Sequence, residues 1–231
     1  MWLRPSRPLL AGSARRAAAL LACCAALVVA LGVLFTHQAT ADGFDHAVDA
    51  PVITWLSSYP GLAVRLAAPG SLVPAGVLTV VIVAACLLAG RLNGAVLAAA
   101  AVPAAVGLND GLVKPVVHRT YLGVLAYPSG HTATVFALAA TVAVLLVVPP
   151  QSAKAAVPRL LIVGAAYVLG VVVAIGVIGL RWHYFTDTLA GAAVGIGTVC
   201  GLALLLDLSV VRRQLARVSR RKPAAQPKAR V

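Results

Sequence analysis

Six stretches of this chain, near residues 17–36, 71–90, 94–113, 132–148, 160–180 and 188–206, are almost free of charge. Each is close to the ~20 apolar residues that a helix needs to cross a hydrocarbon layer ~30 Å thick. With 61% apolar side chains, 11% charged ones and no glutamate, the chain cannot present an ordinary soluble surface. In lipid every backbone polar group must be satisfied within the segment, so these runs predict helices. The expected fold is all-α: a six-transmembrane-helix bundle over 17–207, preceded by a basic cytoplasmic N-terminus (1–16) and followed by a disordered basic cytoplasmic tail (208–231). No internal repeat is visible.

The first run follows Arg15 and Arg16, and Ala39-Thr40-Ala41 resembles a cleavage site. Its apolar length, Ala17 to Phe35, exceeds the about 7–15 residues of a signal-peptide core, so an uncleaved helix is expected. The four cysteines, Cys23, Cys24, Cys86 and Cys200, all fall inside spans and read as small apolar side chains rather than disulfide halves.

With the N-terminus inside, every lysine and arginine except Arg65, Lys114, Arg119 and Arg181 lies on the cytoplasmic side. The net charge of +13 is then a topology signal, and nucleic acid is not an expected partner. Both termini are placed in the cytoplasm, and the layout fits a bacterial plasma membrane. The basic tail is suited to anionic inner-leaflet lipids.

Between the first two spans, Phe44, Ala47, Val48, Pro51, Val52, Trp55, Leu56 and Tyr59 follow the spacing of one helix face, with Asp45, His46 and Asp49 off it. This predicts an amphipathic helix on the outer surface, anchored in the headgroup layer by Trp55 and Tyr59 and kinked at Pro51. The other two outer connections, Asn109–Pro128 and Arg181–Asp187, carry ionisable groups at membrane depth, where such groups mark function.

Pro128-Ser129-Gly130-His131 stands where a span begins. Free amides at a helix start attract phosphate oxygens, and glycine permits close approach. His131 is thereby set beside a bound phosphate, able to protonate a leaving oxygen and later deprotonate water. His183 and Asp187, four apart, would share a helix face, with the carboxylate accepting the Nδ1 proton and leaving Nε2 to attack phosphorus. Lys114, Arg119 and Arg181 supply cations for the phosphoryl oxygens. No zinc-type spacing accompanies the histidines, so neither metal nor cofactor is expected.

These motifs resemble the type 2 phosphatidic acid phosphatase superfamily over Lys114 to Gly191. The Pro-Ser-Gly-His signature is complete, and the resemblance implies acid and base duty for His131 and phosphate binding for Ser129 and Gly130. The His-x-x-x-Asp signature implies that His183 is the nucleophile and Asp187 its orienting acid. The family's Ser-Arg pair, seven and six residues before that histidine, is replaced here by Gly176 and Val177, with Arg181 the nearest basic residue. In the Lys-x6-Arg-Pro signature Lys114 fits, Tyr121 stands at the arginine position, and Arg119 fills a site often basic in relatives.

The resulting expectation is an integral membrane phosphatase, active on the extracytoplasmic face. It would cleave a lipid phosphate, either a polyprenyl diphosphate or a phosphatidic acid-like glycerolipid, through a phosphohistidine. A phosphotransferase using the same intermediate, and a non-catalytic lipid-binding or transport member, are the alternatives.

Overall fold

The computed structural model describes residues 8–10, 12–147 and 156–221, with backbone alone from Val210 onward. Among the described residues nine α-helices follow in order: α1 (Ala14–Leu34), α2 (Gly43–Ser57), α3 (Pro60–Ala67), α4 (Leu72–Leu88), α5 (Leu92–Leu108), α6 (Lys114–Val117), α7 (Gly130–Leu146), α8 (Ala156–Gly179) and α9 (Phe185–Arg221). A two-stranded hairpin, β1 (Thr120–Tyr121) and β2 (Val124–Leu125), pairs antiparallel with Thr120 opposite Leu125.

Each predicted apolar run is helical. Among the described residues four helices are long and apolar enough to span: Ala14–Leu34, Leu92–Val117, Ala156–Gly179 and Phe185–Ser209. The pair Gly61–Gly70 and Leu72–Leu88, bent by 41°, makes a fifth if taken as one span. The sixth run, Gly130–Leu146, is apolar but only 17 residues long. At 1.5 Å per residue such a helix covers about 25 Å, less than the hydrocarbon thickness. This is a multi-pass membrane protein with four or five spans by length and composition.

α7 is the most enclosed helix, packed against α5, α8 and α9, and α1 packs along α9. The α7–α9 contact is close because Gly191 and Gly195 fall on it. A Cβ on Gly191 would strike the Ser129 carbonyl, and one on Gly195 the Ala133 carbonyl. Glycines four apart let two helix backbones approach in this way. The crossing sets the start of α9 beside the start of α7, and so brings the two histidine motifs together. The four cysteines are free.

Three differences from the sequence reading matter. First, α5 does not end where a loop was expected at Asn109. A π-helical turn, Asn109–Val113, leads into α6, so Lys114 rides a nearly continuous helix. Second, α2 runs unbroken through Pro51, where a kink was expected, and its buried face carries the two aspartates. Asp45, Asp49 and Leu56 are its buried residues, whereas Phe44, Trp55 and Tyr59 are exposed. The aspartates find donors inside the bundle, which outweighs what the aromatic side chains would gain there. Third, α9 continues to Arg221, so the expected disordered tail is helical through its first part. Val210–Arg221 contains no glycine or proline, and five of its twelve residues are helix-favouring arginine. Arg4, Arg7, Lys154 and the tail beyond Arg221 lie outside the described residues.

Candidate active site

α7 starts at the expected motif. Ser129 is its N-cap, and the Ser129 hydroxyl accepts from the Thr132 amide at 3.4 Å and the Thr132 hydroxyl at 2.9 Å. The Ser129 amide donates to the Asp187 carbonyl at 2.9 Å, tying α7 to α9. Ser129 is fully buried, so it builds the helix start rather than offering its amide to a ligand. The amides of Gly130 and His131 follow, and a helix leaves these first donors without an internal partner. The space a Cβ would occupy on Gly130 is 3.6 Å from Asn109 Nδ2 and 3.9 Å from both Asp110 Oδ1 and Lys114 Nζ. Lys114 is thus brought to the helix start, where it pairs with Asp110 at 2.9 Å. The His131 ring lies 5.3 Å from that of Trp182.

His183 enters from the turn before α9. Its Nδ1 is 2.8 Å from the Ala126 carbonyl, while Asp187 Oδ2 is 4.0 Å away. The expected direct His183–Asp187 hydrogen bond is therefore replaced by one to the backbone. α9 begins only at Phe185, so the two residues straddle its first turn instead of stacking within it. Asp187 uses Oδ2 to accept the Tyr184 amide at 2.9 Å, the returning half of a capping box. A carbonyl can only accept, so Nδ1 carries the proton and Nε2 keeps its lone pair. Burial, and then the charge of Lys114, push the His183 pKa down to about 3. His131 and Asp110 act on it more weakly, His131 lowering the pKa and Asp110 raising it.

A neutral buried histidine has a stability consequence. Above the ordinary value of 6.5 it costs nothing, but between 6.5 and about 3 the unfolded chain binds a proton that the folded one refuses. Stability must fall on acidification through that window. Thermal unfolding in detergent at stepped pH should show a steeper acid loss for the native chain than for His183→Gln; parallel slopes would refute the assignment.

Arg119, expected among the phosphate ligands, is instead engaged by two buried carboxylates. It is fully buried, its guanidinium donating to Asp45 Oδ2, to Asp187 Oδ1 at 2.7 Å and to the Thr186 hydroxyl at 2.7 Å. The Phe35 and Tyr184 rings lie 4.0 and 4.3 Å from its Cζ. Two carboxylates outcompete a solvent-exposed anion for this cation, so Arg119 stands behind Asp187 as a clamp. Asp45 also accepts the Thr186 amide at 2.9 Å, and Asp49 the Phe185 amide at 3.1 Å.

Arg181 is exposed, in a left-handed conformation at φ 58°, and lines a cavity of about 300 Å³ with His46, Asp49 and Tyr121. Burial, and then the Asp45 charge, raise the Asp49 pKa to about 7. Neither histidine of the motifs, nor Lys114, Ser129 or Gly130, lines that cavity. Arg181→Ala should accordingly leave phosphate release from a lipid phosphate within about threefold of the native rate; a loss of tenfold or more would return Arg181 to the phosphate shell. Gly176 and Val177, at the family's Ser-Arg positions, are buried. A Cβ on Gly176 would collide with the backbone of α3 at Ala67 N and Leu66 C, so α3 occupies the room a longer side chain there would need.

A family model described as the PAP2 superfamily matches residues 77–209, which hold both histidine motifs, Lys114 and Arg119. This chain belongs to the PAP2 superfamily. No curated protein and no solved structure matches it. In this PAP2 member the side chains that brace the site from behind come partly from α2, before the matched stretch. Asp45, Thr186 and the Ala126 carbonyl were not singled out from sequence. An aspartate at i, i+4 on an otherwise apolar helix was the available signal for α2, and the Ala126 carbonyl left none.

Proposed function

We propose that this PAP2 chain is a membrane phosphatase that hydrolyses a lipid phosphate, a polyprenyl diphosphate or phosphatidic acid-like lipid, through a phosphohistidine. The observation that carries the reading is His183. Its Nδ1 proton is held by the Ala126 carbonyl, and Lys114, His131 and the amide-bearing start of α7 lie within reach. A histidine kept neutral and oriented beside an anion-attracting helix start is suited to nucleophilic attack on phosphorus.

In the first step Nε2 of His183 forms a bond to phosphorus and the bond to the leaving oxygen breaks, with protonated His131 giving that oxygen its proton. In the second, His131 removes a proton from water, the water oxygen bonds to phosphorus, and the P–N bond returns its electron pair to Nε2. Lys114 and the Gly130 and His131 amides stabilise charge on the three equatorial oxygens. Asp187 and Arg119 act behind the nucleophile, and Ser129 holds the amides in place.

Short α7 supports a site set below the outer surface, where a lipid-borne phosphate arrives from the membrane plane. The exposed Phe44 and Trp55 of α2, and Tyr59 just after it, suit the headgroup layer. The same reading takes α7 and the bent pair as spans, giving six, with the site on the extracytoplasmic face of the plasma membrane and both termini cytoplasmic. The test is phosphate release by purified protein in detergent with EDTA present, against lipid mono- and diphosphates. No release from any of them would sink the assignment.

A further inference from the structure

We infer that Asp45 of α2 is a positioning residue for His183, acting through Arg119 and Asp187. Asp45 lies outside residues 77–209, is fully buried, and spends both oxygens. Oδ1 accepts the Thr186 amide, while Oδ2 accepts from the Thr186 hydroxyl and the Arg119 guanidinium. The other arm of Arg119 holds Asp187 Oδ1, which leaves Oδ2 facing the Tyr184 amide and, at 4.0 Å, His183 Nδ1. Hydrogen bonds therefore run from α2 through Arg119 to Asp187, and the last step to the proposed nucleophile is electrostatic, across 4.0 Å.

Charge gives these links a purpose beyond docking. One guanidinium between two carboxylates leaves the cluster with a net negative charge. When Nε2 attacks phosphorus the imidazole becomes cationic, and a buried negative charge about 4 Å from Nδ1 favours that state over the neutral ring. Without Asp45 the whole of Arg119 would fall on Asp187, the cluster would be neutral, and this assistance would vanish. Substrate contacts would be untouched. The inference rests on the function proposed above and deepens it.

The neighbouring Asp49 provides the control, since it is buried one turn away on the same helix and bonds only the Phe185 amide. Asp45→Asn should lower kcat at least tenfold with KM within twofold, and Asp49→Asn should keep native kcat. If Asp45→Asn fails to fold, Thr186→Val removes a hydroxyl shared by Asp45 and Arg119 without stranding a charge. It should lower kcat about threefold with KM held.

Orthovanadate, which mimics five-coordinate phosphorus, supplies a readout independent of turnover through fluorescence of the nearby Trp182. Its affinity should drop at least fivefold in Asp45→Asn and stay native in Asp49→Asn. Native kcat in Asp45→Asn, or equal kcat losses in both variants, would overturn the inference. Should the native protein release no phosphate from any lipid, the proposed function fails, and Asp45 is then judged on vanadate alone. Unaltered affinity in Asp45→Asn, or no vanadate binding by the native protein, overturns it.

Discussion

His183→Ala is expected to abolish phosphate release, by at least about 10³-fold, because the variant has no atom to form the bond to phosphorus. The side chain is buried and hydrogen-bonded to the Ala126 carbonyl, which its loss leaves unsatisfied, so the variant should lose about 1–3 kcal/mol of stability. The protein should still fold and bind vanadate weakly. Quenching the native enzyme during turnover with alkaline detergent should trap a phosphorylated chain that is stable in base and labile in acid, and His183→Ala should trap none. His131→Ala separates the two steps. With an activated leaving group, which needs no proton, it should still become phosphorylated but dephosphorylate slowly, and the phosphoenzyme should accumulate. Native-like turnover in His183→Ala would sink the mechanism.

Arg119→Ala should produce the largest loss of stability. The substitution strands two fully buried carboxylates, Asp45 and Asp187, and removes a cation stacked between Phe35 and Tyr184. Breaking a buried pair by deleting one partner typically costs about 3–5 kcal/mol. An apparent melting temperature lower by roughly 10 °C or more in detergent is the expected readout. Arg119→Lys should fall between, since an ammonium keeps the charge but cannot fork to both carboxylates. Activity should decline together with stability in this series, as Asp187 loses its anchor. The opposite pattern, a raised KM at unchanged melting temperature, would mean that Arg119 contacts phosphate after all.

These two residues differ in how far their surroundings could be read from the chain. His183 and His131 could be named because their chemistry is local: a histidine beside a helix start behaves as such wherever the bundle puts it. Arg119 was placed among the phosphate ligands because a cation near an anion site is usually taken to serve it. Its actual partners are 74 and 68 residues away in the chain. No local pattern shows that Asp45 turns inward, since the apolar stripe beside it does not say which face meets the bundle. The helix there was legible, but its facing depended on which side found partners.

Asp187 is an intermediate case. Its spacing from His183 was read as a direct hydrogen bond, and the residue does lie beside it, but the start of α9 at Phe185 hands Oδ2 to the Tyr184 amide and Nδ1 to Ala126. The tautomer anticipated for His183 is still the one the backbone imposes. Lys114 was expected on a loop, and the π-turn at Asn109–Val113 keeps it on a helix that leans over Gly130.

Apolar runs, glycine and proline positions and the two histidine motifs were enough to determine a helical membrane chain, its family and the residues proposed to exchange the phosphoryl group. Those properties follow from the cost of burying backbone in lipid and from chemistry within a few residues. Which carboxylate braces which cation, and which face of α2 looks inward, was decided only by tertiary structure. A buried charge is stable only where distant segments bring its partners to it, and that depends on how the helices cross.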